Sequence, residues 1–242
     1  MEYFNALIIL GRTGSGKSDI VQELSKYFPI EIITADKFYI YKFFESAICK
    51  PKGEYSNVRT HLFSSRDIME DRLERAYYAD IIEKLSADIL ERNHLPVIEG
   101  CSVGYITAVL ERNHEIQRTF YYKPAVGLYL PKAITFRSLY IAKTEQLLME
   151  GALEEVREGL QKGWRNSYVM KKSMLCVPLI KYIDGYLTLD EAKELIIKNF
   201  MRIGDEEEEK FRTIDGVDWI EYDKKNAKDV VEKITRLISE KC

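Results

Sequence analysis

The chain has 242 residues with a formal net charge of −3, and 46% of its residues are hydrophobic. This composition excludes a disordered chain, and the absence of a basic excess argues against a large nucleic-acid-binding surface. No apolar run reaches the roughly 20 residues that a membrane span needs, and no basic leader precedes the first apolar run, so we expect a cytoplasmic protein. The cysteines include no CxxC pair, so we expect no zinc site at Cys49, Cys101, Cys176 and Cys242.

Short apolar runs alternate with helical patterns along the first half of the chain. The apolar runs predict strands at 3–10, 31–34, 96–98, 127–130 and 219–222. Helical spacing predicts helices at 18–27, 66–90, 134–161 with an interruption at Gly151, 189–203 and 227–241. The segment 40–65 is predicted to be irregular. Strands that alternate with helices favour a parallel sheet covered on both faces.

A glycine-rich loop separates the first predicted strand from the first predicted helix. It has the Gly-x-x-x-x-Gly-Lys-Ser spacing of a phosphate-binding loop and reads Gly11-Arg12-Thr13-Gly14-Ser15-Gly16-Lys17-Ser18. Its three glycines let backbone N–H groups point inward at phosphate oxygens, and the following helix adds the positive end of its dipole. Lys17 supplies a point charge for the terminal phosphates, and Ser18 can ligate Mg²⁺. The loop therefore predicts polyphosphate binding.

This loop and the alternation of elements together predict the fold class. We expect an α/β protein, in which a P-loop NTPase-like parallel sheet is flanked by helices and followed by a helical C-terminal half. Residues 1–132 would form the sheet core. Residues 133–242 are mainly helical and are expected to pack on that same core.

Asp36 follows the second predicted strand and is the best-placed carboxylate of the chain. Ligands of open α/β sheets bind outside the carboxyl ends of the strands. There, Asp36 could accept a proton, or orient an amine or hydroxyl that attacks the bound phosphate compound. The alternative is a cap for the turn that follows, a position that Asp favours.

Three stretches of the chain together resemble the isopentenyltransferase superfamily, which includes adenylate isopentenyltransferases and tRNA dimethylallyltransferases. The phosphate loop carries the family's characteristic threonine at Thr13. The other two stretches are Thr34-Ala35-Asp36-Lys37-Phe38-Tyr39-Ile40-Tyr41 and Val97-Ile98-Glu99-Gly100-Cys101-Ser102. Weaker similarity is scattered over the chain as far as about Trp219.

The resemblance implies a mechanism. The phosphate loop would hold the diphosphate of dimethylallyl diphosphate with Mg²⁺, and the N6 amine of an adenine would attack the prenyl carbon C1. Asp36 would orient or deprotonate that amine, and Thr13 would lie near the C1–O bond. By the same resemblance, Lys143 and Arg202 are the basic residues expected on the diphosphate.

The resemblance also suggests residues on the nucleotide side, namely Ser102 and Asp184. Asp184 stands in an Ile-Asp-Gly-Tyr segment similar to one in the adenylate enzymes, where the aspartate contacts adenine. A competing alignment puts Cys176-Val177-Pro178 in that place, and an Asp-Gly pair is also an ordinary turn.

Three features favour a free adenine nucleotide (AMP, ADP or ATP) as the acceptor. Only residues 103–126 separate Ser102 from the next predicted strand, there is no Cys/His zinc module, and there is no basic excess. We therefore expect no tRNA partner and no membrane partner, and the oligomeric state stays open. A histidine linked to hydroxylated prenyl donors is matched by Ile203, which favours the plain dimethylallyl donor.

Two alternatives remain open at this point. A nucleotide or small-molecule kinase would use the loop for a nucleoside triphosphate, with Glu99 as a second carboxylate for Mg²⁺, although no arginine-rich lid is present in residues 130–180. A tRNA dimethylallyltransferase of reduced form is the other alternative.

The chain departs from the family pattern at two charged places. Arg12 stands where proline is usual, and it could contact phosphate or face solvent. The tRNA enzymes carry a basic stretch on the C-terminal helix, whereas this chain has Asp205-Glu206-Glu207-Glu208-Glu209, which we interpret as a solvated helix face.

Other polar residues are expected to have structural roles. The three histidines, His61, His94 and His114, are scattered along the chain and favour structural or surface roles over catalysis. Cys101 lies near the predicted site, but it is expected to be a small buried residue and not a nucleophile.

Overall fold

The computed structural model describes residues 6–51, 57–114, 122–132 and 134–240. Within these residues six strands form one parallel sheet in the order β3-β2-β4-β1-β5-β6. The strands are β1 Leu7–Leu10, β2 Ile30–Thr34, β3 Thr60–His61, β4 Leu95–Gly100, β5 Ala125–Tyr129 and β6 Val217–Glu221.

Helices cover both faces of this sheet, which confirms the predicted α/β class with its helical C-terminal half. They are α1 Lys17–Leu24, α2 Arg75–Glu91, α3 Val103–Glu111, α4 Phe136–Met149, α5 Ala152–Gln161, α6 Tyr168–Lys172, α7 Cys176–Ile183, α8 Leu189–Arg212 and α9 Ala227–Glu240. Among the described residues, none of these helices is long and apolar enough to cross a membrane.

The central strand β1 is buried on both faces, because its alternate side chains enter two separate cores. Leu7 and Ile9 pack with α1 and α9 on one side of the sheet. Ile8 and Leu10 pack on the other side, with residues of α2, α3 and the helices α4 to α8. The helices that follow residue 132 thus rest on the sheet, and β6 extends the sheet itself by pairing with β5.

The structure differs from the sequence prediction at several element ends. The segment predicted to be irregular contains β3, and the segment before β5 contains α3. Helix α2 begins nine residues later than predicted, since the Asp67 carboxylate accepts the Met69 N–H at 3.0 Å and forms a turn. Residues 3–5, part of the predicted first strand, and 241–242, at the predicted C-terminal end, lie outside the described residues.

Helix α8 also differs from the prediction at its C-terminal end: it was predicted to end at Ile203 and continues to Arg212. It starts at a capping box, in which the side chains of Thr188 and Glu191 each accept from the other's backbone. The acidic stretch is therefore helical, and its side chains are presented at helical spacing.

An ion-pair cluster around Glu31 joins β2 to β3 and to the end of α2. The buried Glu31 carboxylate accepts from Arg92 Nε at 2.8 Å and Nη2 at 2.7 Å, and it lies 2.6 Å from His61 Nε2. Hydrogen bonds from Arg92 outweigh burial and hold the pKa of Glu31 at about 2. His61 thus has the structural role that was expected, and His94 bonds the Arg92 carbonyl at 2.9 Å. The side chain of His114 lies outside the description.

We expect Glu31→Gln to lower the free energy of unfolding by about 2 kcal/mol at neutral pH, because it removes one partner of a buried ion pair. A lowered carboxyl pKa stabilises the fold above the ordinary value of 4.5, and this contribution disappears as the pH falls toward 2. The difference between wild type and variant, measured by urea unfolding, should therefore shrink between pH 5 and pH 2.

Glu74→Gln is the matched control for that measurement. Glu74 forms an exposed ion pair with Arg72, which contributes little to stability. An equal loss of stability in the two variants would contradict the role of the Glu31 cluster.

Candidate active site

Functional side chains from three neighbouring strands meet at the carboxyl edge of the sheet. The phosphate loop follows β1, Asp36 follows β2, and Cys101 and Ser102 follow β4. Because β1 pairs with β4 and β4 pairs with β2, these segments lie side by side. This is the edge at which open α/β sheets bind ligands.

Close packing fixes the phosphate loop at its helix end. Gly16 has φ 86°, and a Cβ there would lie 1.9 Å from Cε1 of Tyr222, so only glycine fits. The Lys17 ammonium donates to the carbonyls of Gly11 at 2.9 Å and Arg12 at 3.0 Å. The Ser15 N–H donates to the Arg12 carbonyl at 3.1 Å, and its side chain is buried beneath the loop.

A cavity of about 270 Å³, here called the loop cavity, opens over the phosphate loop. The loop contributes Gly14, Gly16, Lys17 and Ser18 to its wall, while Gly11 and Ser15 do not line it. Two further lysines face it, the predicted Lys143 of α4 and the unpredicted Lys224. Lys224 follows β6, so the rule that ligands bind at strand ends could have identified it.

The loop cavity presents oxygen ligands that suit Mg²⁺. Ser18, Asp36 and Glu99 all line it. Within the described parts of the chain, no group of three or more His, Cys, Asp and Glu residues is placed to hold a metal by itself. Mg²⁺ usually binds through one or two protein oxygens together with phosphates and water, so these residues fit a magnesium ion carried on a diphosphate.

A second cavity, of about 380 Å³, lies between the end of β2 and α8 and is here called the α8 cavity. Part of its wall is apolar and includes Phe38, Ile48 and Met174. The predicted Ser102 also lines it. Basic side chains from three parts of the chain complete the wall: Lys37, Lys172, Arg202 and Lys210.

The two cavities meet, since five residues line both of them: Thr13, Asp36, Tyr39, Cys49 and Cys101. Asp36 Oδ1 accepts the backbone N–H of Phe38 at 2.7 Å, and Oδ2 accepts the thiol of Cys101 at 3.2 Å. One carboxylate oxygen therefore caps the turn, as one of the two sequence interpretations held. The other oxygen lies where the cavities join.

Cys101 serves as a hydrogen-bond donor to Asp36. Burial raises the pKa of the Cys101 thiol well above its ordinary value, and the carboxylates of Glu207 and Asp36 raise it further. A thiol that stays protonated is a poor nucleophile. This agrees with the expectation that Cys101 is not a catalytic nucleophile.

The interpretation of the acidic stretch as a solvated helix face holds for Asp205, Glu206 and Glu209, which are exposed, and is wrong for Glu207, which reaches the phosphate loop. Glu207 accepts both the N–H of Thr13 at 2.8 Å and its hydroxyl at 3.0 Å. Asp205 and Glu208 pair with Arg12 at 3.0 and 3.2 Å. The sequence signal was the α-helical period itself, because positions 204, 205 and 208 of one helix share a face.

Arg12 does not face solvent, so one of the two positions that the sequence left open for it is excluded. Only 5% of its side chain is exposed, and its guanidinium lies 3.5 Å from the centre of the Phe136 ring. Gly204 packs directly against it, since a Cβ there would lie 2.5 Å from Arg12 Nη2. The arginine thus fills a site built by α4 and α8.

Two predicted ligands lie away from the phosphate loop. Arg202 lines the α8 cavity and not the loop cavity, and it pairs with Glu206 at 2.7 Å. Asp184 lines neither cavity, and its carboxylate accepts two hydrogen bonds of 2.8 Å from Arg165. Met174, just before α7, lines the α8 cavity in place of Asp184.

Comparison with known proteins identifies homologues along most of the chain. Adenylate isopentenyltransferase 7 (mitochondrial) of Arabidopsis thaliana is 27% identical over 189 residues, which are 77% of this chain and 56% of the plant protein. The chain therefore spans little more than half of that relative. The tRNA dimethylallyltransferase of Acetivibrio thermocellus is 22% identical in an alignment of 298 positions, gaps included, that covers 95% of each protein. No family model matches the chain.

Solved structures share the fold. The full-length tRNA isopentenylpyrophosphate transferase of Bacillus halodurans aligns with a TM-score of 0.86 and 20% identity, over 98% of both chains. A Staphylococcus epidermidis enzyme described as a tRNA delta(2)-isopentenylpyrophosphate transferase aligns with a TM-score of 0.86 and 17% identity, over 99% of this chain and 100% of its own. At these identities the alignments support the fold alone.

The homologues are prenyltransferases, and this chain shares the phosphate-loop α/β fold of the solved structures. The resemblance to the isopentenyltransferase superfamily, inferred from three sequence stretches, is confirmed by these homologues.

We expect Lys143→Ala and Lys224→Ala each to weaken the binding of inorganic pyrophosphate about tenfold, because each removes a charged donor from the loop cavity. Isothermal titration calorimetry with Mg²⁺ present measures the effect. Lys26→Ala, beyond the far end of α1, removes the same charge and should bind like wild type. Equal affinities for all four proteins would place the diphosphate elsewhere.

Proposed function

We propose that the chain transfers a dimethylallyl group from dimethylallyl diphosphate to the N6 amine of an adenine. The observation that carries this proposal is the position of Asp36, which lines both the loop cavity and the α8 cavity. A group that must act on the amine of one substrate beside the reacting carbon of another belongs at such a junction.

The loop cavity suits the diphosphate of the donor. Lys17, Lys143 and Lys224 bring three positive charges to it, and the glycine-rich backbone adds N–H donors. Ser18 would hold Mg²⁺ together with diphosphate oxygens. When bound, the ion would neutralise charge on the diphosphate and so make it a better leaving group.

The α8 cavity suits an adenine. Its apolar side chains, among them Phe38 and Met174, offer surface for a flat ring, and Ser102 offers a hydroxyl for a hydrogen bond. The lysines and Arg202 at its wall suit a phosphate on the acceptor. The amine of a base bound here would point toward Asp36 at the junction.

The reaction that follows is a displacement at C1 of the prenyl group. The N6–C1 bond forms, the C1–O bond breaks, and the diphosphate leaves with the bonding electron pair. Asp36 Oδ2 accepts the proton that the amine loses, while Cys101 steadies the carboxylate through its thiol. Lys17 and the hydroxyl of Thr13 would stabilise the charge on the departing oxygen.

We further propose a free adenine nucleotide as the first acceptor to test, with a tRNA adenosine as the second. The net charge of −3 and the carboxylates Glu206 and Glu207 at the α8 cavity disfavour a polyanionic partner. The tRNA acceptor is favoured by relatives such as the Acetivibrio enzyme, which match over nearly their whole length.

The deciding experiment is a turnover assay read by mass spectrometry. Purified protein with Mg²⁺ and dimethylallyl diphosphate is offered AMP, ADP, ATP and an unmodified tRNA in parallel. A prenylated mononucleotide supports the first acceptor, and product on tRNA alone supports the second. Failure to form any prenylated product, with ATP consumed when alcohols are added, would replace the proposal with a kinase.

Asp36→Asn should lower kcat at least about a hundredfold, because asparagine cannot accept the amine proton. The affinity for inorganic pyrophosphate should stay near the wild-type value, since the loop cavity keeps its lysines. Asp184→Asn is the matched control, because Asp184 lines neither cavity, and it should keep full activity. An Asp36→Asn enzyme with wild-type kcat would exclude Asp36 as the proton acceptor.

A further inference from the structure

The acidic stretch of α8 places negative charge beside a loop whose sequence is typical of anion binding. Glu207 is the member of this stretch that reaches the anion-binding donors themselves. Its carboxylate accepts the N–H of Thr13 at 2.8 Å and the Thr13 hydroxyl at 3.0 Å. Thr13 lines both cavities, so these are donors that the loop could offer to a diphosphate.

Contacts on the same helix hold Glu207 in this position. Arg12 of the phosphate loop pairs with Asp205 and Glu208, which lie two residues before and one residue after Glu207 on α8. The Tyr140 hydroxyl donates to the Thr13 carbonyl at 2.8 Å. The loop is thus fastened to α8 through both of its residues that follow Gly11.

We propose that Glu207 is a built-in competitor for the diphosphate group, which holds the donors of Thr13 until the diphosphate displaces it. This inference rests on one part of the proposed function, namely that the phosphate loop binds the diphosphate of the donor. It adds that the carboxylate of Glu207 weakens the binding of both the prenyl donor and the diphosphate product.

The surroundings of Glu207 make a negative charge there costly once a diphosphate arrives. Burial raises the pKa of Glu207 above its ordinary value, against the hydrogen bonds of Thr13 and the charge of Lys17, which lower it. Asp36 also raises it, and the thiol of Cys101 and the phenol of Tyr140 face the same carboxylate. A bound diphosphate adds further negative charge, so the carboxylate has to leave or take up a proton.

The test compares pyrophosphate affinity between two variants of the same helix. Inorganic pyrophosphate is titrated, with Mg²⁺, into wild type, Glu207→Gln and Glu209→Gln. Glu209 is exposed on α8, so its variant removes the same charge without touching Thr13. We expect Glu207→Gln to bind about tenfold more tightly than the other two, which corresponds to the loss of one charged competitor.

Affinity of Glu207→Gln equal to or weaker than that of Glu209→Gln would overturn the proposal, and would make Glu207 a support of the loop. If the variant does not fold, as judged by circular dichroism, wild type decides by NMR. Saturating pyrophosphate should then shift the Thr13 amide and the Glu207 carboxyl carbon, and an unmoved carboxyl resonance would refute displacement.

The outcomes also separate this inference from the proposed function. Tighter pyrophosphate binding by Glu207→Gln, without prenyl transfer by any protein, would keep the competitor and remove the prenyl reaction. Binding by none of the three proteins would overturn the diphosphate site and the competitor with it. Prenyl transfer with unchanged pyrophosphate affinity would leave the proposed function standing alone.

Discussion

The parallel pairing of β1 with β4 and β5 is the constraint on which the rest of the molecule depends. It buries β1 on both faces and directs the chain that leaves it into the phosphate loop at the sheet edge. The pairing of β4 with β2 then sets Asp36 beside Cys101. Each side chain is carried by a short segment whose direction the buried strand before it determines.

Asp36 shows how one residue meets a structural and a chemical requirement together. Its Oδ1 accepts the backbone N–H groups of the turn, which holds the side chain in one orientation. Its Oδ2 then lies at the junction of the two cavities, where it accepts the weak thiol donor of Cys101. A capping interaction therefore does not argue against a functional role, because a carboxylate has two oxygens and the two can act separately.

The two departures of this chain from the charge pattern of the isopentenyltransferases it resembles explain each other. The buried Arg12 in the loop pairs with the more exposed carboxylates of Asp205 and Glu208 on α8, across about 190 residues of sequence. Gly204 leaves the room that the guanidinium fills. An isolated basic loop residue would be left unpaired against the helix, and an isolated acidic helix would repel the phosphate that the loop binds. The same face of α8 brings Glu207 to Thr13, where its carboxylate accepts the backbone N–H.

Much of this protein was determined by local sequence alone. The phosphate loop, the strand before it, the alternation of elements and the place of Asp36 could be predicted, because spacing and periodicity report backbone geometry over a few residues. The family was inferred from the resemblance of three sequence stretches. Tertiary structure alone decided which residues face which cavity. In the structure Arg202 lies at the α8 cavity, and Asp184 lies on the surface, where it pairs with Arg165. Lys224 and Glu207 lie at the loop. Those placements depend on how α8 and β6 pack against β5 and the loop, and contacts between segments so distant in the chain leave no periodic signal in the sequence.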